Sequence, residues 1–341
     1  MIKAWWFNNK QDNAEVLQPE FFTPKTQLRL YAELPNVEFP IEINVSALCA
    51  DATVFTKSYL IESPESEKHF KYDVFAQAGI IMLCDFADTL ETSPDCIDVE
   101  IYMNETKYAQ SITCEYATIS GKITDFEGQP FPAAVVYNFH TFDGLESGTG
   151  VWSDESGNYT LTLPKGEYHS IFVDDNTYAK SSLEAWGWKM IVDQDEVHDY
   201  KIGNGEVYSL DAWANNGGFP TLFIYFRPMV LSYVMRQHSN ILEVNSKNYS
   251  VYDTCPDIGL DNISVEINGC KAANISLQKI IETGSDGSAM PAYILQVERP
   301  SAVGKQTLVV EYNFVDSHGE PMQSQGRAQF NFTSVYGLAL R

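Results

Sequence analysis

The residues best equipped for chemistry lie between positions 183 and 216. They read Leu183-Glu-Ala-Trp186-Gly-Trp188-Lys-Met-Ile-Val-Asp193-Gln-Asp195-Glu-Val-His198-Asp199, followed by Glu206, Trp213, Asn215 and Asn216. If 183–191 is extended, alternate side chains share a face: Glu184, Trp186 and Trp188 stand together, while Ala185 and Gly187 leave the other face nearly bare. Two indoles beside a carboxylate suit a sugar, because aromatic rings pack on its C–H face while acids and amides bond its hydroxyls. Trp213 and Asn215 extend that candidate glycan site. The same residues have a plainer use: the tryptophans would bury against a neighbouring domain, with Gly187 permitting the close approach.

Other chemistries are open to the chain. Asp193, Asp195 and Asp199, with Glu196, offer hard oxygen ligands for calcium, the one cofactor the chain suggests. Their spacing matches no established loop, however, and a solvated acidic turn accounts for them too; Asp174-Asp175-Asn176 is a second such turn. Glu184, Asp195 and Glu206 would line a groove in the enzyme reading, since paired carboxylates on strands leave no linear signature. No nucleophile elbow, phosphate-binding glycine loop, His-Glu-x-x-His or EF-hand loop occurs, and the six histidines show no ligand spacing. Arg227 interrupts the apolar run Leu222–Phe226 and is expected to pair with a carboxylate across a domain junction.

The elements that position these residues are strands. In Thr118-Ile-Ser-Gly-Lys-Ile-Thr-Asp-Phe-Glu-Gly128-Gln-Pro130, Ile119, Gly121 and Ile123 share one face, and Asp125 to Gly128 supplies turn chemistry. A second strand is expected over 133–139. Asp154 to Gly157 then reads as a tight hairpin turn. Beyond it, Tyr159, Leu161 and Leu163 alternate with Thr160 and Thr162, the period of a half-buried strand. The stretch 118–173 resembles the carboxypeptidase regulatory-like domain, a small transthyretin-like β-sandwich. The resemblance implies that fold and a non-catalytic accessory role, with no active-site residues to carry over.

Residues 1–116 contain about seven short apolar runs, from Leu28–Leu34 to Tyr108–Cys114, the number expected of an immunoglobulin-like sandwich. Pro35, Pro40, Pro64 and Pro94 fall between them, where a missing amide donor costs no ladder bond. The last third repeats the pattern, with turn signals at Asn268-Gly269, Ser285-Asp-Gly287 and Ser317-His-Gly319. Leu231, Val234, Met235, His238, Ile241 and Leu242 have helical spacing, which predicts a short helix after Pro228. The expected fold is therefore all-β: three consecutive sandwiches, immunoglobulin-like at 1–116, carboxypeptidase regulatory-like at 117–212, and immunoglobulin-like or fibronectin-like at 213–341.

Composition bounds the partners. With 22 basic against 46 acidic side chains the net charge is −24, which repels nucleic-acid phosphates and anionic membrane surfaces. No run approaches the roughly 20 apolar residues of a membrane span, and the start, Met1 to Lys10, reads as a strand and not as a secretory signal. A cytoplasmic protein, one exported by a non-classical route, or one held in an assembly is the corresponding expectation. Six cysteines divide evenly between the flanking regions, which permits disulfides without requiring them. Asn44, Asn104 and Asn262 open Asn-x-Ser/Thr triplets whose meaning depends on a secretory context. The functional expectation is non-catalytic binding or assembly, with a glycan, a protein partner or a second copy of the chain as candidate ligands. No nucleic acid or membrane insertion is expected.

Overall fold

Alternation of apolar and polar residues dictates strands, and the computed structural model of the chain is almost entirely β. It describes residues 1–8, 26–63, 67–69, 72–77, 79–87, 92–132, 134–142, 145–147, 149–175, 177–215, 219–236, 239–315, 319 and 321–332. Pro64, Ala133, Asn176, Asn216, His238, Ser317 and His318, all part of the sequence expectations, lie outside them.

The first strands are β1 (Ile2–Phe7), β2 (Thr26–Glu33), β3 (Ile41–Cys49), β4 (Ala52–Ile61), β5 (Glu67–His69), β6 (Tyr72–Gln77), β7 (Ile80–Ala87), β8 (Cys96–Met103) and β9 (Thr106–Thr113). They form two antiparallel sheets, ordered β1-β2-β7-β6-β5 and β4-β3-β8-β9. The alternating burial of β3 as far as Ala47, and of β8 throughout, shows one face of the second sheet turned inward. Trp6, Leu28, Leu30, Ile43, Val45, Val99 and Ile101 fill the space between. Strands β5 and β6 pair antiparallel, with Glu67 opposite Val74 and His69 opposite Tyr72.

The middle of the chain supplies β10 (Tyr116–Thr124), β11 (Val135–Phe142), β12 (Leu145–Ser147), β13 (Gly150–Trp152), β14 (Asn158–Pro164), β15 (Gly166–Asp174), β16 (Ala185–Val192), β17 (Glu196–Val197) and β18 (Tyr200–Lys201). The hairpin turn before β14 is built as expected: Asp154 Oδ1 accepts the Ser156 and Asn158 amides at 2.9 and 2.8 Å, and Gly157 takes φ +79°. Strand β10 lies between β14 and the short parallel strands β17 and β18. A second sheet, through β11, β15 and β16, closes over Ile119, Ile123, Leu161, Leu163, Ile171 and Val173. Phe7, at the end of β1, joins this core and meets Tyr168 edge-on at 6.3 Å, so the first strand serves two hydrophobic clusters at once.

The remaining elements are β19 (Gly205–Trp213), β20 (Thr221–Val230), α1 (Leu231–Arg236), β21 (Ser239–Val244), β22 (Lys247–Tyr252), β23 (Ile263–Ile267), β24 (Cys270–Lys271), β25 (Asn274–Thr283), β26 (Ser288–Glu298), β27 (Gly304–Val315) and β28 (Pro321–Phe332). Helix α1 is shorter than the periodicity predicts, because Ile241 and Leu242 are taken up by the β21–β22 hairpin. One sheet contains β19, β20, β26 and β25, with β22 and β21 continuing it past the end of β20. The other, β28-β27-β23-β24, is not separate from the preceding region. Strand β28 pairs in parallel with β16, with Trp186 opposite Gly326 and Trp188 opposite Ala328, so one sheet runs from β12 to β24. Residue 212, the expected boundary, falls one residue before the end of β19. All six cysteines are free thiols.

Candidate functional site

Strand β16 carries the expected alternation. Trp186 and Trp188 share a face and stack, with ring centroids 4.4 Å apart and planes at 11°. The face is not open. Tyr208 of β19 meets both rings edge-on, at 5.6 and 5.1 Å, and Phe172 lies 5.3 Å from Trp186. Trp188 donates its indole N–H to the Val207 carbonyl at 3.3 Å. The two tryptophans are 8% and 7% exposed, so the expected sugar platform is corrected to a packed junction between β16 and β19. The opposite face is not bare either, since a Cβ added to Gly187 would stand 2.6 Å from the Tyr200 hydroxyl. Gly326 has the matching role on β28, where a Cβ would stand 2.5 Å from Val207. Lys189, at φ +51°, then interrupts the alternation. Met190 and Val192 beyond it return to the core of the middle region, alongside Ala185.

Glu184 and Glu206 approach the same junction. Burial, reinforced by Asp174, pushes Glu184 up to about 7. Burial, and then Glu184, holds Glu206 well above the carboxylate range. Glu206 is 1% exposed, and its Oε2 has no hydrogen-bond partner. The Trp186 indole N–H is near enough to both carboxyls to temper these shifts, though it completes no hydrogen bond of good geometry. Asp195, the third acid of the enzyme reading, is elsewhere: its Oδ1 accepts the Thr118 amide of β10 at 2.8 Å. The three acids therefore share no open cleft.

The aspartates expected to gather calcium are dispersed by the same logic. Asp199 accepts the Lys122 amide at 2.8 Å, and Asp193 pairs with Lys305 at 2.5 Å. Asp195 and Asp199 thus cap amides of β10 beside the short strands β17 and β18. Among the described residues no group of three or more His, Cys, Asp or Glu side chains is placed to hold a metal ion. In the second turn, Asp175 bonds Thr177 and Ser182. Glu196 is tied more tightly: burial opposes its charge, but hydrogen bonds from His198, Lys305 and Gln329 bring it down to about 2. His198, 3% exposed, bonds Glu196 at 2.8 Å and is held below its usual value by burial.

Trp213 and Asn215 occupy different ground, both on the surface. Trp213 is 39% exposed and stacks on Phe223 of β20 at 5.8 Å and 19°. A bulge at Ser209, φ +55°, restores Asp211 and Trp213 to the face occupied by Tyr208. Asp211 pairs with Lys189 at 2.6 Å. Both line a groove of about 450 Å³ that also includes His169, Ala212, Phe330 and Asn331. Arg227 pairs with Glu282, which also accepts the Tyr225 hydroxyl. These partners lie on β20 and β25 of one sheet, so the expected pairing across a domain junction is corrected to a pairing within the sheet. Phe223 and Tyr225 were hidden in what reads as a single apolar run. Their half-exposure between buried Leu222, Ile224 and Phe226 is the alternation that marks them as surface residues.

These observations define a multi-sheet, all-β protein. Residues 118–184, from β10 to Glu184, match the carboxypeptidase regulatory-like domain family. No curated protein matches the chain. Among solved structures, similarity extends to BcpA, the major pilin subunit of Bacillus cereus, at 9% identity over 63% of this chain and 69% of that one, with a TM-score of 0.19. It extends also to the N-terminal eight Ig domains of Down Syndrome Cell Adhesion Molecule isoform 1.30.30, at 12% identity over 88% and 38%, TM-score 0.14. A third is invasin, a bacterial integrin-binding protein, at 10% identity over 96% and 60%, TM-score 0.14. No helix among the described residues is long and apolar enough to cross a membrane.

Proposed function

We propose that the chain is a non-catalytic binding protein that recognises a glycan through the exposed region around Trp213, on a scaffold welded by the buried tryptophan pair. The observation that carries this reading is the contrast between the aromatics. Trp186 and Trp188 are consumed by packing, whereas Trp213 is 39% exposed and lies flat against Phe223. Large aromatics left in water on a sheet face are an ordinary means of holding a sugar ring. Carboxyls of raised affinity for protons are an ordinary enzyme signature, but Glu206 is sealed from solvent, where no substrate reaches it. A glycan microarray tests the reading: retention of one or more glycans supports it, and an empty array removes it.

A second reading, assembly with another protein or a second copy, has its own observation. The β21–β22 hairpin is exposed along most of its length, Ile241 at 78%. Strand β21 ends its sheet among the described residues, and such an edge is a ready template for strand pairing. Sedimentation velocity of the wild type and Ile241→Lys decides it. Association abolished by the substitution supports assembly through this edge, and a concentration-independent monomer excludes self-association.

A further inference from the structure

We infer that the outer face of the β19–β20–β26–β25 sheet is a binding platform for a neutral polysaccharide chain, a proposal that rests on the glycan reading above and gives it a surface. The strand register sets the face. Trp213, Phe223, Gln296 and Ser276 form one row across the four strands, and Asp211, Tyr225, Ile294 and Gln278 form the next. On β20 and β26 these positions are half-buried, while the alternate ones, Leu222, Ile224, Leu295 and Val297, are fully in the core. Among the described residues these two rows are therefore partly open to solvent, whereas beyond Asp211 the same face is closed where Tyr208 packs on Trp186 and Trp188. The first row begins with the stacked planes of Trp213 and Phe223 and ends in a hydroxyl and an amide, with Ser276 Oγ donating to Gln296 Oε1 at 3.1 Å. Phe219, 76% exposed, precedes β20 at the Trp213 end of the sheet.

The charge distribution selects the ligand. A chain of net charge −24 repels anionic polymers. The cations near this face are already matched from within it: Lys189 by Asp211 and Arg227 by Glu282. What remains outward is apolar ring surface beside amides and hydroxyls, the complement of a sugar, which has an apolar C–H face and a rim of uncharged hydroxyls. Beside β19, a groove lined by Lys189, Asp211, His169 and Asn331 continues from the second row. An extended face that opens into a groove suits a chain lying across it more than a compact ligand enclosed by it.

Affinity electrophoresis of the full chain through gels containing soluble neutral glucan, mannan, xylan or galactan, with polygalacturonate as the anionic control, tests the platform. The expected result is retardation by at least one neutral polymer and none by polygalacturonate. Trp213→Ala, which removes a partly exposed ring, weakens that retardation about tenfold or more. Gln278→Ala, on the exposed end of the second row, weakens it by a smaller factor, and Leu60→Ala, exposed on β4 of a different sheet, leaves it unchanged. Far-UV circular dichroism confirms that each variant is folded. Retardation undiminished in both Trp213→Ala and Gln278→Ala would overturn the platform while leaving glycan recognition standing on another surface. Retardation by polygalacturonate alone would overturn the neutral-ligand argument, and no retardation by any polymer would overturn the platform and the glycan reading together.

Discussion

The ring planes of Trp186 and Trp188 lie parallel with centroids 4.4 Å apart, side by side on one face of β16, and Tyr208 of β19 closes over both edges. Residues that share a strand face are normally splayed along it; here the pairing of β16 with β28 and the approach of β19 press the two rings into contact. Truncation of either indole leaves a cavity that the flanking strands cannot collapse into. Trp188→Ala is expected to cost about 3–5 kcal/mol, measured as a lowered urea midpoint, and to shift the tryptophan emission to longer wavelength.

The glycines of the junction make a sharper comparison. Gly326→Ala drives a Cβ to 2.5 Å from Val207, in the interior between β28 and β19, whereas Gly166→Ala meets nothing within 4 Å. The first is expected to destabilise by about 1–3 kcal/mol and the second by less than about 0.5 kcal/mol. Thermal unfolding of the two single variants reads this difference directly.

The pH dependence follows from Glu184. Its folded-state value is raised from 4.5 to about 7, so the folded chain binds a proton that the unfolded chain has released across that window. Stability from this group is therefore fully retained below pH 4.5 and declines as pH rises from there to about 7. Buried Glu206, shifted in the same direction, adds to the decline. Glu184→Gln, neutral at every pH, is expected to flatten the profile and to be more stable than wild type at pH 8 by about 1–3 kcal/mol. Guanidinium titrations at pH 5 and pH 8 measure it.

Glu196 works in the opposite sense. Its value, lowered from 4.5 to about 2, gives stability that is present above pH 4.5 and lost as pH falls through about 2. With the carboxyl partly screened by solvent, the loss is on the order of 1 kcal/mol. Glu196→Gln is expected to remove it, and acid titrations of wild type and variant, followed by circular dichroism, compare the two.

Local order was legible before the structure. Tyr159, Leu161 and Leu163 mark β14 because burial on one face imposes a period of two, and Asn268-Gly269 turns β23 into β24 because both residues take positive φ. The even face of β16 was legible for the same reason, and so was the alternative that its tryptophans bury against a neighbour. What covers that face was not legible. Tyr208 of β19 closes on both rings, and the strand beside them is β28, with Gly326 and Ala328 some 140 residues away; nothing in local periodicity encodes a parallel pairing at that distance. The aspartates misled for a related reason. Their carboxylates resemble a cation site in sequence, and only the neighbouring β10 reveals that two of them are acceptors for its amides. The outer face of β20 was obscured because both of its faces are apolar, so Phe223 and Tyr225 do not stand out from Leu222 and Ile224.

The central claim is a division of labour among tryptophans: the pair on β16 holds the scaffold together, and Trp213 meets the ligand. Isothermal titration with whichever neutral polysaccharide retards the wild type compares Trp213→Ala with Trp188→Phe, a change that keeps a large ring in the junction. The account predicts that Trp213→Ala loses binding about tenfold or more and that Trp188→Phe binds as the wild type does. A folded Trp188→Phe variant that no longer binds, beside a Trp213→Ala variant that does, would contradict it.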